Sequence, residues 1–90
     1  MKPFRWDTEK NNQLQAERGI SFEAVSRVIS AGKVLDVVKH PNQIKYPKQR
    51  IFVLEIDQYV YLVPFVENEE EVFLKTIIPS RKMKKKYLGD

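Results

Sequence analysis

Ninety residues make room for one domain with a single core, since a chain of this size buries only about 60–65% of the surface it exposes unfolded. Hydrophobic residues at 42% and charged residues at 31% are ordinary for a globular chain, and 16 Lys and Arg against 12 Asp and Glu leave a net charge of +4, which suits a polyanionic partner. The absence of cysteine excludes disulfides, thiolate zinc sites, iron–sulfur clusters and a Cys nucleophile, and leaves His40 as the one imidazole.

In chain order, Phe4-Arg5-Trp6-Asp7 alternates apolar and polar residues and predicts a short edge strand. A helix over residues 8–18 follows, capped by Asp7 or Thr8 and ended by Gly19. Ser21 caps a second, more amphipathic helix in which Phe22, Val25, Val28 and Ile29 share a stripe and Glu23 stands in the first turn; Gly32 ends it. From Lys33 the period becomes that of strands: Val34 to Lys39, Arg50 to Ile56, Tyr59 to Val66 and Val72 to Ile78. Asp57-Gln58 and Asn68-Glu69 are hairpin-length connections, so the last three strands are expected to form an antiparallel meander. Phe52, Leu54 and Ile56 form one apolar row, Val60, Leu62 and Val66 a second, and Val72, Leu74 and Ile78 a third. Tyr59, Tyr61, Phe65, Phe73 and Lys75 are expected on the opposite face. The predicted fold class is α+β over residues 1–90: two N-terminal helices packed on one face of a four-stranded antiparallel sheet, with a short N-terminal edge strand and a C-terminal helical turn.

Between the first two strands, residues 41–49 form a polar loop with two prolines and two lysines, a kind of segment that carries sites more often than packing. The three glycines are too scattered for a phosphate loop, and the cluster Glu67, Glu69, Glu70 and Glu71 lacks the alternating oxygen ligands of a calcium loop and reads as a solvated hairpin tip. Neither metal nor cofactor is expected. The longest uncharged apolar run, Tyr59 to Val66, is far short of the ~20 residues of a membrane-spanning helix, and the N-terminus has no apolar signal core, so a soluble, cytoplasmic protein is expected. What remains is basic and aromatic: His40, Lys45, Tyr46, Lys48 and Arg50 in and beside the loop, Lys75 on the last strand, Arg81 and Lys82 past it, and a tail with Lys84, Lys85 and Lys86. This set suits an RNA phosphodiester. The 2′-hydroxyl is the built-in nucleophile, so a metal-free enzyme needs a group to take its proton, cations to hold the crowded phosphorane and a donor for the leaving 5′ oxygen.

Phe4-x-Trp6-Asp7-x-x-Lys10, Leu14 and Arg18-Gly19-Ile20-Ser21-Phe22-Glu23 resemble the N-terminal signature of the BrnT family of bacterial toxins. Ile77-Ile78-Pro79-Ser80-Arg81-Lys82 is similar to the family's I-I-S-A-R-K segment, with Pro79-Ser80 replacing Ser-Ala, and Arg50 stands where the family has a strand-opening Arg after a polar loop. The resemblance implies a RelE-like fold and a ribonuclease toxin of a type II toxin–antitoxin pair. It also implies neutralisation by a ribbon-helix-helix antitoxin encoded next door, with operator DNA reached only through that antitoxin. Arg81-x5-Tyr87 is similar to the catalytic Arg and Tyr at the end of RelE itself. On this reading Arg50 and Arg81 bind the scissile phosphate, Lys75 or Lys82 adds positive charge, and His40 or Tyr87 handles protons. Lys45, Lys48, Lys82, Lys84, Lys85 and Lys86 bind RNA. The alternative is a non-catalytic nucleic-acid- or antitoxin-binding module that keeps the fold and charge. Cleavage specificity, ribosome dependence and oligomeric state have no sequence signal.

Overall fold

The structure is a computed structural model that describes residues 2–89. A two-residue strand β1 (Phe4–Arg5) leads into helix α1 (Thr8–Arg18), capped by the Asp7 carboxylate, which accepts the N–H groups of Glu9 and Lys10. Gly19 ends the helix at φ 66°, a left-handed conformation that glycine adopts without a Cβ penalty. α1 is polar, and its buried residues are Asn11 and Leu14. Asn11 bolts α1 to the next helix: its Oδ1 accepts the Phe22 N–H at 2.8 Å and its Nδ2 donates to Glu23 Oε1 at 2.7 Å. Helix α2 (Phe22–Ser30) starts at a Ser21 cap and buries Phe22 and Val25 completely.

Strands β2 (Val34–Lys39), β3 (Arg50–Ile56), β4 (Tyr59–Glu67), β5 (Val72–Leu74) and β6 (Ile78–Pro79) follow, then helix α3 (Arg81–Leu88). Among the described residues the sheet order is β1-β5-β4-β3-β2, with β6 also paired to β4. The α+β class, the two N-terminal helices, the meander and the edge position of β1 agree with the sequence reading. Three features differ. The sheet is mixed, because β1 runs parallel to β5; the last strand is split in two; and a third helix covers the second face.

The split lies opposite Pro64, which has no N–H to donate to a neighbouring strand. Phe65 pairs with Leu74, yet Leu62 pairs with Ile78, so one extra residue enters between β5 and β6. This bulge turns Ile77 inward to full burial and leaves Ile78 42% exposed, the reverse of the sequence expectation. The freed carbonyl of Ile77 accepts a 2.8 Å hydrogen bond from Arg18 Nη1 at the end of α1.

A second correction concerns β4. The Asp57-Gln58 turn, with φ of 52° and 65°, pairs Ile56 with Tyr59, Leu54 with Tyr61, Phe52 with Val63 and Arg50 with Phe65. Directly paired residues share a face. Tyr61, Val63 and Phe65 therefore join Phe52 and Leu54 against α1 and α2, around Leu14, Ile20, Phe22 and Val25. Val60 and Leu62 face the other way, with Ile51 and Val53, where α3 packs.

Candidate nucleic-acid interface

α3 is held at its start by Ser80, whose N–H donates to the Val60 carbonyl at 2.9 Å and whose hydroxyl accepts the Met83 N–H at 3.2 Å. From there it crosses the sheet toward β2. Met83 and Tyr87 point to the strands and, with Val38, Ile51, Val53 and Leu62, border a hollow of about 160 Å³. Five of its eight residues are basic: Arg81, Lys82, Lys84, Lys85 and Lys86. Lys84 Nζ lies 5.6 Å from the Tyr59 ring centre and Lys86 Nζ 5.4 Å from that of Tyr87, within cation–π range. Lys75, on the stretch after β5, stands 5.8 Å from the Phe73 ring centre.

At the far end of α3 the Tyr87 hydroxyl donates to Asp36 Oδ2 at 2.7 Å, and Asp36 Oδ1 accepts the Val37 N–H at 2.8 Å. The bond to Asp36 raises the phenol above its ordinary pKa, with desolvation and the carboxylate charge adding to the effect. Asp36 is lowered by the same bond first and by the Val37 N–H second. The phenol keeps its proton at neutral pH and the carboxylate stays charged.

His40 opens the loop, its backbone N–H paired with the Gln49 carbonyl at 3.1 Å. Its Nδ1 accepts the Asn42 N–H at 3.0 Å, so the neutral ring carries its proton on Nε2. The ring stands 4.5 Å, centre to centre, from Tyr46, which has Lys45 Nζ at 5.3 Å on it. The Asn42 side chain accepts the Lys45 N–H, making a local turn of the loop, and Lys45 and Lys48 are exposed.

Arg50 has different company. Its guanidinium lies 5.0 Å from the Phe65 ring centre, and its Nη2 bonds Glu67 Oε1 at 2.6 Å while Lys2 Nζ takes Oε2 at 2.8 Å. The hydrogen bond from Lys2 is the main cause of the lowered Glu67 pKa, with the charges of Lys2 and Arg50 adding to it. These groups rim a cleft of about 470 Å³ floored by Phe52, Val37 and Ile29 on the α2 side of the sheet.

The predicted site residues thus fall into two groups. Arg81, Lys82, Lys84, Lys85, Lys86 and Tyr87 share α3, and the end bearing Lys86 and Tyr87 reaches Lys39 and Pro41, on either side of His40. Arg50 lies on the α2 face by strand alternation, and Arg81 starts the helix on the other. Along β4 their anchor points, Phe65 opposite Arg50 and Val60 bonded to Ser80, are five residues apart, about 16 Å. The two side chains therefore start from opposite faces of the sheet. Asp36, Lys2 and Glu67 were missed by sequence reasoning. Asp36 has one signal, a lone carboxylate in a Val-rich strand; Glu67 reads from the sequence as part of the acidic tip, and nothing in the sequence ties Lys2 to it.

The class of protein these features define is a small α+β domain that presents a basic helix, a basic loop and a phenol held as a hydrogen-bond donor. A family model described as the ribonuclease toxin BrnT of type II toxin–antitoxin systems matches residues 6–86, and the chain belongs to that family. No curated protein and no solved structure matches the chain. None of the described helices is long and apolar enough to cross a membrane.

Proposed function

We propose that this chain is the toxin of a type II pair, acting in the cytoplasm as a metal-independent endoribonuclease whose cleavage of RNA arrests growth, with a ribbon-helix-helix antitoxin as its partner. Beside the family match, the observation that carries the reading is that Tyr87, bonded to Asp36, borders one hollow with Lys39 and Pro41, on either side of His40, at the end of a helix with five cations. Tyr87 gives up its bond to Asp36 to protonate the leaving 5′ oxygen, the Asp36 carboxylate so freed takes the 2′-hydroxyl proton, and the Nε2–H of His40 is free to donate to a phosphate oxygen. Arg81, six residues before Tyr87 and about 9 Å away along the helix axis, binds a neighbouring phosphate rather than the one being cleaved. Lys45 and Lys48 extend the track over the loop. Arg50 and Lys75 add charge at the margins.

A second reading, a non-catalytic module of the same fold, draws support from the partners already engaging Arg50 and His40. One experiment divides the two: the purified protein is incubated with RNA in excess EDTA, and Tyr87→Phe is compared with wild type. The enzyme reading expects cleavage by wild type, at least ~10-fold slower cleavage by the variant, and RNA affinity unchanged in it. RNA bound but left intact by wild type sinks the catalytic reading and leaves the module.

A further inference from the structure

Among the described residues five large apolar side chains stand exposed, and three of them, Leu35, Val37 and Val38, lie on β2, with a fourth, Ile44, 97% exposed in the loop that follows. β2 ends the sheet and pairs with β3 alone, so its outer side offers backbone N–H and C=O groups to an incoming strand. The first half of this edge is blunted: the register shifts between Val34 and Asp36, and the Asp36 carboxylate takes the Val37 N–H. From Val37 to Lys39 the pairing is regular.

Alternation then sets two receptors side by side. Val37 borders the cleft of about 470 Å³ on the α2 face, and Val38 borders the hollow of about 160 Å³ under α3. Successive side chains of an added strand would meet these two recesses in turn. Charge selects the occupant. Lys33 precedes the strand and Lys39 ends it, and at the larger cleft Lys2 and Arg50 share one carboxylate, Glu67, so that two cations against one anion leave the rim positive. A second copy of this chain, with its net charge of +4, would set like charges together there.

We propose that the open edge of β2 takes an extended segment of the antitoxin by strand addition, with apolar side chains alternating over the two recesses and carboxylates beside Lys39 and Arg50. This rests on the toxin reading above. The test uses the full chain, alone and in complex with the co-expressed product of the adjacent gene. Among the amides of residues 37–39, exchange at the outward-facing Lys39 N–H is expected to slow at least ~10-fold in the complex, since the Val37 N–H already bonds Asp36 and the Val38 N–H faces β3. Val37→Asp, at a site already 42% exposed, is expected to melt near wild type and to weaken the complex at least ~10-fold, while Ile78→Asp, equally exposed on another strand, leaves affinity unchanged. A complex with no new protection on β2 and wild-type affinity in Val37→Asp overturns the inference and leaves the toxin reading standing. Protection of the Lys39 amide in the free protein that rises with its concentration overturns it in favour of self-pairing. If wild type forms no complex, the toxin reading falls and takes the inference with it.

Discussion

Tyr87 and Asp36 lie 51 residues apart in sequence and meet through one hydrogen bond, so their linkage to stability has two limbs of opposite sign. The phenol's folded pKa is raised above the ordinary 10.0, so its contribution is full below that value and is lost as pH rises through the folded pKa. The carboxylate's folded pKa lies below the ordinary 3.8, so its contribution is full above that value and fades as pH falls through the folded pKa. Asp36 is exposed and Tyr87 only half-buried, so solvent screening keeps the effect small. The difference in melting temperature between wild type and Tyr87→Phe is accordingly expected to be flat between about pH 5 and 9 and to shrink at both extremes. A difference that persisted unchanged at pH 2 would show that the bond to Asp36 contributes nothing to stability.

At the scale of elements, the junction of α1 and α2 rests on one buried amide. Asn11 satisfies the Phe22 N–H, and no buried side-chain polar atom among the described residues lacks a partner. Asn11→Ala would strand that N–H and should cost about 1–3 kcal/mol, read as a lower denaturation midpoint at unchanged slope. Val25→Asp places an unpaired charge at a fully buried site and should cost several kcal/mol. A variant melting within a few degrees of wild type would contradict the packing of α2. This helix was legible in advance because its cap, stripe and stop all point the same way. The face of β4 is set by the sequence too, but by parity from its turn and not by its apolar pattern. A two-residue turn forces Ile56 opposite Tyr59, and parity alone then assigns Tyr61, Val63 and Phe65 to the α2 side. Apolar residues on both faces hid the alternation, since α3 covers what would otherwise be the polar side. Pro64 announces a break in its neighbour strand, whereas the partner that takes up the freed Ile77 carbonyl, Arg18 at the end of α1, has no local signal. The candidate site divides in the same way. The cations of α3 could be counted from the sequence, but the meeting of Tyr87 with Asp36 and the parting of Arg50 from Arg81 are set by sheet faces that only the complete register defines.

Over the whole molecule charge is distributed unevenly: the β4–β5 tip carries Glu67, Glu69, Glu70 and Glu71, while α3 and the loop after β2 carry the cations proposed to meet RNA. Two of the acidic residues are held by Lys2, Arg5 and Arg50, so the tip is partly neutralised from within. An RNA strand lying along α3 releases counterions in proportion to the phosphates met, about 0.7 in the log–log salt slope for each on a single strand. Lys82→Gln combined with Lys85→Gln should therefore lower the slope by about 1.4, with melting temperature unchanged because both side chains are exposed. The same double change at Lys45 and Lys48 should lower it by a similar amount if the strand continues past Tyr87 onto the loop. The two pairs decide the path separately, since each neutralises two charges on an element of its own. A slope reduced by the loop pair and untouched by the α3 pair would move the RNA off the helix and away from Tyr87, and the phenol would then have no leaving group within reach.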